Sequence, residues 1–146
     1  MNAPAAPAPK GSPLRRLGRP LAALVTVGIP TVYVAAVDPG APGHYPTCPV
    51  LLATGWWCPG CGGLRCVHAL TRGDLNTAAH DNVLVLVLAA VLAVFWLRWM
   101  WAALSGGPTP RVSFGLRQTV LLVLLLVAFT VLRNLPPGVA LAPPII

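Results

Sequence analysis

Three long stretches of the chain are almost wholly apolar, and polar residues collect between them. The first covers residues 21–37, which as a helix would rise about 26 Å, short for a bilayer but sufficient with its flanks. The second covers residues 83–101 and ends in the collar Arg98, Trp99, Met100 and Trp101. The third covers residues 113–132, polar in its first turns and apolar from Val120 onward. Neither the alternation of a half-buried strand nor the narrow stripe of a soluble amphipathic helix is present, so the pattern predicts an all-α membrane protein with three transmembrane helices. Pro30 falls inside the first run and predicts a kink there. A cleaved signal peptide is the rival for that run, with Arg15 and Arg16 as its basic region and small residues near Val34 and Ala36.

The segments between the runs read differently from one another. Residues 1–20 are Ala/Pro-rich and then basic, and predict a disordered tail. Residues 38–82 form a long cysteine-bearing loop, irregular at first and then apolar over 50–57, too short to span and suited to the interface. A short helix is expected over 62–70, stopped by Gly73, with Asp74 as N-cap of the next turn. Residues 133–146 are a Pro-rich, non-spanning tail.

Composition agrees: 56% of residues are hydrophobic and 9% charged, against roughly 25% charged in soluble domains. The net charge of +7 flanks the apolar runs and does not interleave with aromatics along one face, so nucleic acid is not the expected partner. The lipid bilayer is, with anionic headgroups meeting the basic flanks; a protein partner within the membrane remains open. With the N-terminus inside, Lys10, Arg15, Arg16, Arg19, Arg98, Arg111 and Arg117 lie on the cytoplasmic side, and Arg65, Arg72 and Arg133 outside. That asymmetry predicts a multi-pass protein of the cell (inner or plasma) membrane with its cysteine loop extracytoplasmic.

All four cysteines, Cys48, Cys58, Cys61 and Cys66, fall in that loop, centred on Cys58-Pro59-Gly60-Cys61-Gly62. Three readings from different classes follow. In the first, disulfide staples fold the loop with no turnover. In the second, the pair performs thiol–disulfide exchange. Pro59 would open a helix with Cys58 as its N-cap nucleophile, Cys61 would resolve, and Arg65 and His68 would share the Cys61 face and tune the pair. Cys48 or Cys66 would be a further partner. In the third, Cys48, Cys58, Cys61 and His68 form a zinc site, the glycine letting the knuckle wrap the metal. The zinc alternative lacks a second tight ligand pair, and no cofactor is required by the first two. The structural or accessory reading is placed ahead of the enzymatic one.

The remaining polar residues are read as structural. Asp74, Asp81, Asn82, Arg133 and Asn134 fall on the same side of the membrane, where an Asp81–Arg133 or Asp74–Arg133 pair would tie the loop to the third span. An Arg65–Asp74 pair is a further option. His44 and His80 are expected to face solvent. With three acidic residues in all, the chain offers little for acid–base hydrolysis.

The string TGWWCPGCGGLRCVHALTRGDLNTAAHDN and the later RNLPPGVALAP resemble a family of small bacterial membrane proteins known only as a domain of unknown function. Its pattern is similar to T-G-x-x-C-P-G-C-G-x-T-R-x-x-H-x-L-x-x-G-D, a downstream Asn and a C-terminal R-N-x-P. The resemblance spans about residues 46–137. It implies membrane placement and a site built from Cys58, Pro59, Gly60, Cys61, Gly62, Arg65, His68, Gly73, Asp74, Asn82, Arg133 and Asn134, with Cys48 preceding it. It implies no reaction. Leu64 replaces the family's Thr, and Cys66 stands where a small apolar residue is usual.

Overall fold

The computed structural model describes residues 13–41, 43–113, 115–136 and 138. Five helices follow in order: α1 (Pro13–Ala36), α2 (Pro49–Thr54), α3 (Gly63–Thr71), α4 (Leu75–Ser105) and α5 (Leu116–Arg133). Three are long and apolar enough to cross a membrane: α1 from Arg16 to Ala36, α4, and α5. The all-helical fold and its three candidate spans are therefore those expected from the apolar runs.

The helix ends differ from the sequence reading for local reasons. α1 begins at Pro13 rather than after residue 20, so Arg15, Arg16 and Arg19 ride on the helix and not in a disordered tail. Leu14 and Leu17 continue the apolar pattern of the run. Residues 1–12 lie outside the described residues. α1 also runs through Pro20 and Pro30.

α4 is two helical segments joined at Asn82, whose backbone is extended (φ −165°, ψ 95°). Asp74 caps the first segment by accepting from the Thr77 N–H at 3.0 Å. Asn82 Oδ1 caps the second by accepting from the Val85 N–H at 3.1 Å, so the span proper starts at Val83, where the apolar run begins. It continues to Ser105 and stops at Gly106, which takes the left-handed conformation (φ +72°) suited to glycine at a helix C-terminus. At about 1.5 Å per residue the Val83–Ser105 segment rises on the order of 35 Å, enough for a hydrocarbon core.

Packing is concentrated at one end. α1, α3 and α4 contact one another, whereas α5 approaches none of the other helices within 8 Å between Cα atoms. The small core there is Cys66, Ala69 and Ala78, with Leu70, Val85 and Leu86 against it. Along the spans large apolar side chains stay exposed, Val32 at 68% and Leu116 at 82% among them. In water such a surface would aggregate; in lipid it needs no protein cover. At the opposite end, Trp96 Nε1 donates to the Pro20 carbonyl at 3.0 Å and joins α4 to α1.

Candidate functional site

The loop of residues 55–62 joins α2 to α3 and carries two of the four cysteines. Gly55 (φ +71°) ends α2, and Gly62 (φ +79°) turns the chain into α3 immediately after Cys61. Positive φ is strained for any side chain, so both glycines are needed to bring the chain sharply back. Between them, the Cys61 N–H donates to the Cys58 carbonyl at 3.1 Å, and the Gly63 N–H to the Gly60 carbonyl at 2.9 Å. Two consecutive tight turns result, with no helix starting at Pro59.

The expected Cys58 N-cap is therefore corrected. Another Cys-Pro pair performs that role: Cys48 is the N-cap of α2 and Pro49 occupies its first turn. Cys61 likewise precedes α3, so it does not share a helical face with Arg65 and His68.

Tertiary contacts bring Cys48 to the knuckle. Its Sγ lies 3.4 Å from Cys58 Sγ, and Cys58 Sγ lies 2.9 Å from Cys61 Sγ. All three sulfurs fall within 4.8 Å of one another. None of the four cysteines is disulfide-bonded, so the expected staple finds no support: an S–S bond needs about 2.05 Å. Cys66 is fully buried in the small core between α3 and α4, apart from the other three, and burial pushes its thiol up.

The sulfurs differ in charge preference. The Leu51 backbone N–H pulls the Cys48 thiol down to about 7, helped by hydrogen bonds from Cys61 and Cys58. Burial pushes Cys61 up to about 12, reinforced by hydrogen bonding to Cys58 and Cys48. The trio therefore favours a thiolate at Cys48 beside a protonated Cys61 near neutral pH. Cys48 and Cys61 open onto a cavity of about 710 Å³ also lined by Tyr45, Trp57 and Arg65.

What fixes the knuckle is a set of side chains reaching in from the ends of the spans. Asn134 pairs with Trp57 as a second backbone strand would: its Oδ1 accepts from the Trp57 N–H at 2.8 Å and its Nδ2 donates to the Trp57 carbonyl at 3.0 Å. Arg133 Nη1 donates to the Cys58 carbonyl at 3.1 Å, and Nη2 to the Asp81 carbonyl at 3.2 Å. Asn82 Nδ2 donates to the carbonyls of Pro59 at 2.9 Å and Cys61 at 3.0 Å. Arg133 is 1% and Asn82 0% exposed. Leaving such groups unpaired is costly, and no buried side-chain polar atom among the described residues lacks a partner. The Arg133 guanidinium also stacks 5.2 Å over the Phe129 ring.

The other expected site residues are placed as follows. Arg65 Nε approaches Asp81 Oδ1 at 3.9 Å; the Asp74 carboxylate, in place of an arginine, takes the Thr77 hydroxyl at 2.6 Å. Arg133 meets Asp81 at its carbonyl oxygen. His68 Nδ1 bonds the Val34 carbonyl at 2.7 Å and so ties α3 to the end of α1. It is not among the residues whose ligand atoms cluster, so the fourth zinc ligand expected from the sequence is not brought in. His44 and His80 are exposed. The sequence reading has Arg133 tying the loop to the third span through a carboxylate; it misses that the guanidinium addresses the Cys58 and Asp81 carbonyls.

A family model described as "Protein of unknown function (DUF2752)" matches residues 48–96. The match opens on Cys48, takes in the knuckle, α3 and Asn82, and stops short of Arg133 and Asn134. It agrees with the resemblance to an uncharacterised family over that segment. No curated protein and no solved structure matches the chain.

Proposed function

We propose, taking as premise a family match that names no activity, that this membrane protein carries a three-thiolate site for a soft divalent metal ion. The observation supporting this most directly is the convergence of Cys48, Cys58 and Cys61 from two separate turns onto one point, with all sulfurs inside 4.8 Å. Zinc–thiolate bonds of about 2.3 Å in tetrahedral geometry place sulfurs about 3.8 Å apart. The gaps of 3.4 and 2.9 Å reach that spacing with movements under about 1 Å. Gly62 turns the chain after Cys61 as such a knuckle requires. Three thiolates around a divalent ion leave one net negative charge, and Arg133, bonded to the Cys58 carbonyl, is positioned to offset it.

In this reading Cys48, Cys58 and Cys61 would hold the ion, and its open position would face the cavity lined by Trp57 and Arg65. Thiolate ligands suit zinc and other soft ions. The protein's contribution is a knuckle already held in shape by Asn82, Arg133 and Asn134. Site residues that look structural are thus the supports of the ligands.

The orientation belongs to the same proposal: N-terminus cytoplasmic, cysteine loop extracytoplasmic. Two of the three arginines at the cysteine end, Arg65 and Arg133, are engaged within the fold. Arg72 is the exposed one among them, which strengthens the charge asymmetry read from the sequence. An inactive alkaline phosphatase fused to the C-terminus would overturn this orientation.

A second reading rests on Cys48. A thiol pulled down to about 7 at 3.4 Å from Cys58 Sγ is placed to attack a Cys58–Cys61 disulfide once a disulfide substrate has oxidised that pair, forming Cys48–Cys58 and releasing the Cys61 thiolate, with Cys48 rather than Cys58 as nucleophile. Titrating the purified, reduced full chain with Co²⁺ or Cd²⁺ separates the two. One equivalent with a thiolate-to-metal absorption band is expected, lost on Ser substitution of Cys48, Cys58 or Cys61 and retained in Cys66→Ser. Absence of metal binding together with a reversible Cys58–Cys61 disulfide favours exchange.

A further inference from the structure

The end of the molecule opposite the cysteines holds a second cavity, of about 730 Å³, lined by Arg16, Arg19, Trp99, Ala103 and Thr109 among others. Its chemistry follows from how charge is divided along the chain. All three acidic residues, Asp38, Asp74 and Asp81, lie at the cysteine end together with Arg65, Arg72 and Arg133. That end is formally neutral, and the other holds Arg16, Arg19, Arg98, Arg111 and Arg117 with no acidic residue among them. No carboxylate side chain of the chain is therefore available near Arg16 and Arg19.

The walls are held in place. Trp96 Nε1 anchors α4 to the Pro20 carbonyl at 3.0 Å, one turn from Trp99 on α4 and next to Arg19 on α1. Arg16 lies over the C-terminus of α4: a Cβ at Gly106 would come 2.9 Å from its Nη1. The negative pole of α4 favours a cation there. The loop after Gly106 closes the third side with Gly107, Thr109 and Pro110.

We propose that this pocket binds a phosphate-bearing anion, supplied in the membrane by an anionic phospholipid headgroup. Two guanidinium forks from successive turns of α1 match tetrahedral phosphate oxygens, which a pair of ammonium groups would grip less specifically. Trp99 and Ala103 give an apolar wall beside the polar one, as an interfacial headgroup site requires. Trp101 and Leu104, at 73% and 64% exposed, continue that surface toward the lipid-facing side of α4. The site is independent of the metal reading.

The test uses the full chain in detergent, with lipid retention measured by native mass spectrometry. Phosphatidylglycerol should be retained in preference to phosphatidylcholine. Its affinity should drop about tenfold or more in Arg16→Gln/Arg19→Gln, the loss expected for charge-assisted hydrogen bonds. Arg16→Lys/Arg19→Lys should fall between. Arg111→Gln/Arg117→Gln, which removes equal charge from the same end outside the pocket, should stay near wild type. Displacement by millimolar inorganic phosphate supports the site with free phosphate as its source; retention of the lipid under phosphate supports the headgroup. Equal retention of the two lipids with no phosphate binding, or equal weakening in both Gln pairs, refutes the pocket.

Discussion

Asn82 is the most exposed test of the claim that the span ends hold the knuckle in shape. Its amide makes three hydrogen bonds while fully buried: to the Pro59 and Cys61 carbonyls and from the Val85 N–H. Asn82→Ala removes a helix cap worth about 1 kcal/mol. It also strands two carbonyls of the loop, each costing about 1–3 kcal/mol if water does not reach them. The sum is about 3–7 kcal/mol against the assembled site. Asn82→Asp separates the terms, since a carboxylate keeps the cap at Val85 but turns two donors into an anion facing two carbonyls. If the knuckle is preorganised by these bonds, both variants should weaken Co²⁺ binding, by about 30-fold or more for every 2 kcal/mol the metal must restore. The assay is a competitive Co²⁺ titration in detergent with the helical content checked in parallel. Wild-type metal affinity in Asn82→Asp, with its helices intact, would falsify the argument that Asn82 acts through the loop carbonyls.

Other consequences are open to measurement. Arg133→Lys keeps the charge but cannot span the Cys58 and Asp81 carbonyls with one compact ammonium; a loss of about 1–3 kcal/mol in thermal stability is expected, with α5 released first in limited proteolysis. In reduced, metal-free protein, alkylation of Cys48 should rise with pH through about 7, because the thiolate is the reactive form and its proton leaves there. Cys61, up at about 12, should be modified only after Cys48, and peptide mapping of labelled protein across pH 5 to 9 decides the order. Asp74, held below the usual carboxylate range by Thr77, should support α4 at neutral pH and lose that support as pH falls below 3.8; Asp74→Asn should flatten this acid limb in a melting series. Gly106→Ala meets both a positive φ of +72° and the Arg16 guanidinium, so a loss of about 1 kcal/mol and weaker retention of phosphatidylglycerol should appear together.

The spans could be read from the chain because each is a local property: a run of apolar residues long enough for lipid forms its own hydrogen bonds whatever lies beside it. Asp74 was placed at a helix start for the same reason, since a cap acts within one turn. Chemistry at the knuckle was harder to read. Cys58-Pro59 and Cys48-Pro49 are the same dipeptide, and only the turn geometry set by Gly55 and Gly62 decides which cysteine caps a helix. Asn82, Arg133 and Asn134 address backbone carbonyls and an N–H of the knuckle, and a backbone group leaves no complementary side chain in the sequence to reveal the pairing. The same holds for His68, an apparent ligand whose partner is the Val34 carbonyl. Hydropathy therefore determined which helices are long and apolar enough for lipid, and tertiary contact alone decided which sulfurs meet, because the groups that gather them are common to every residue.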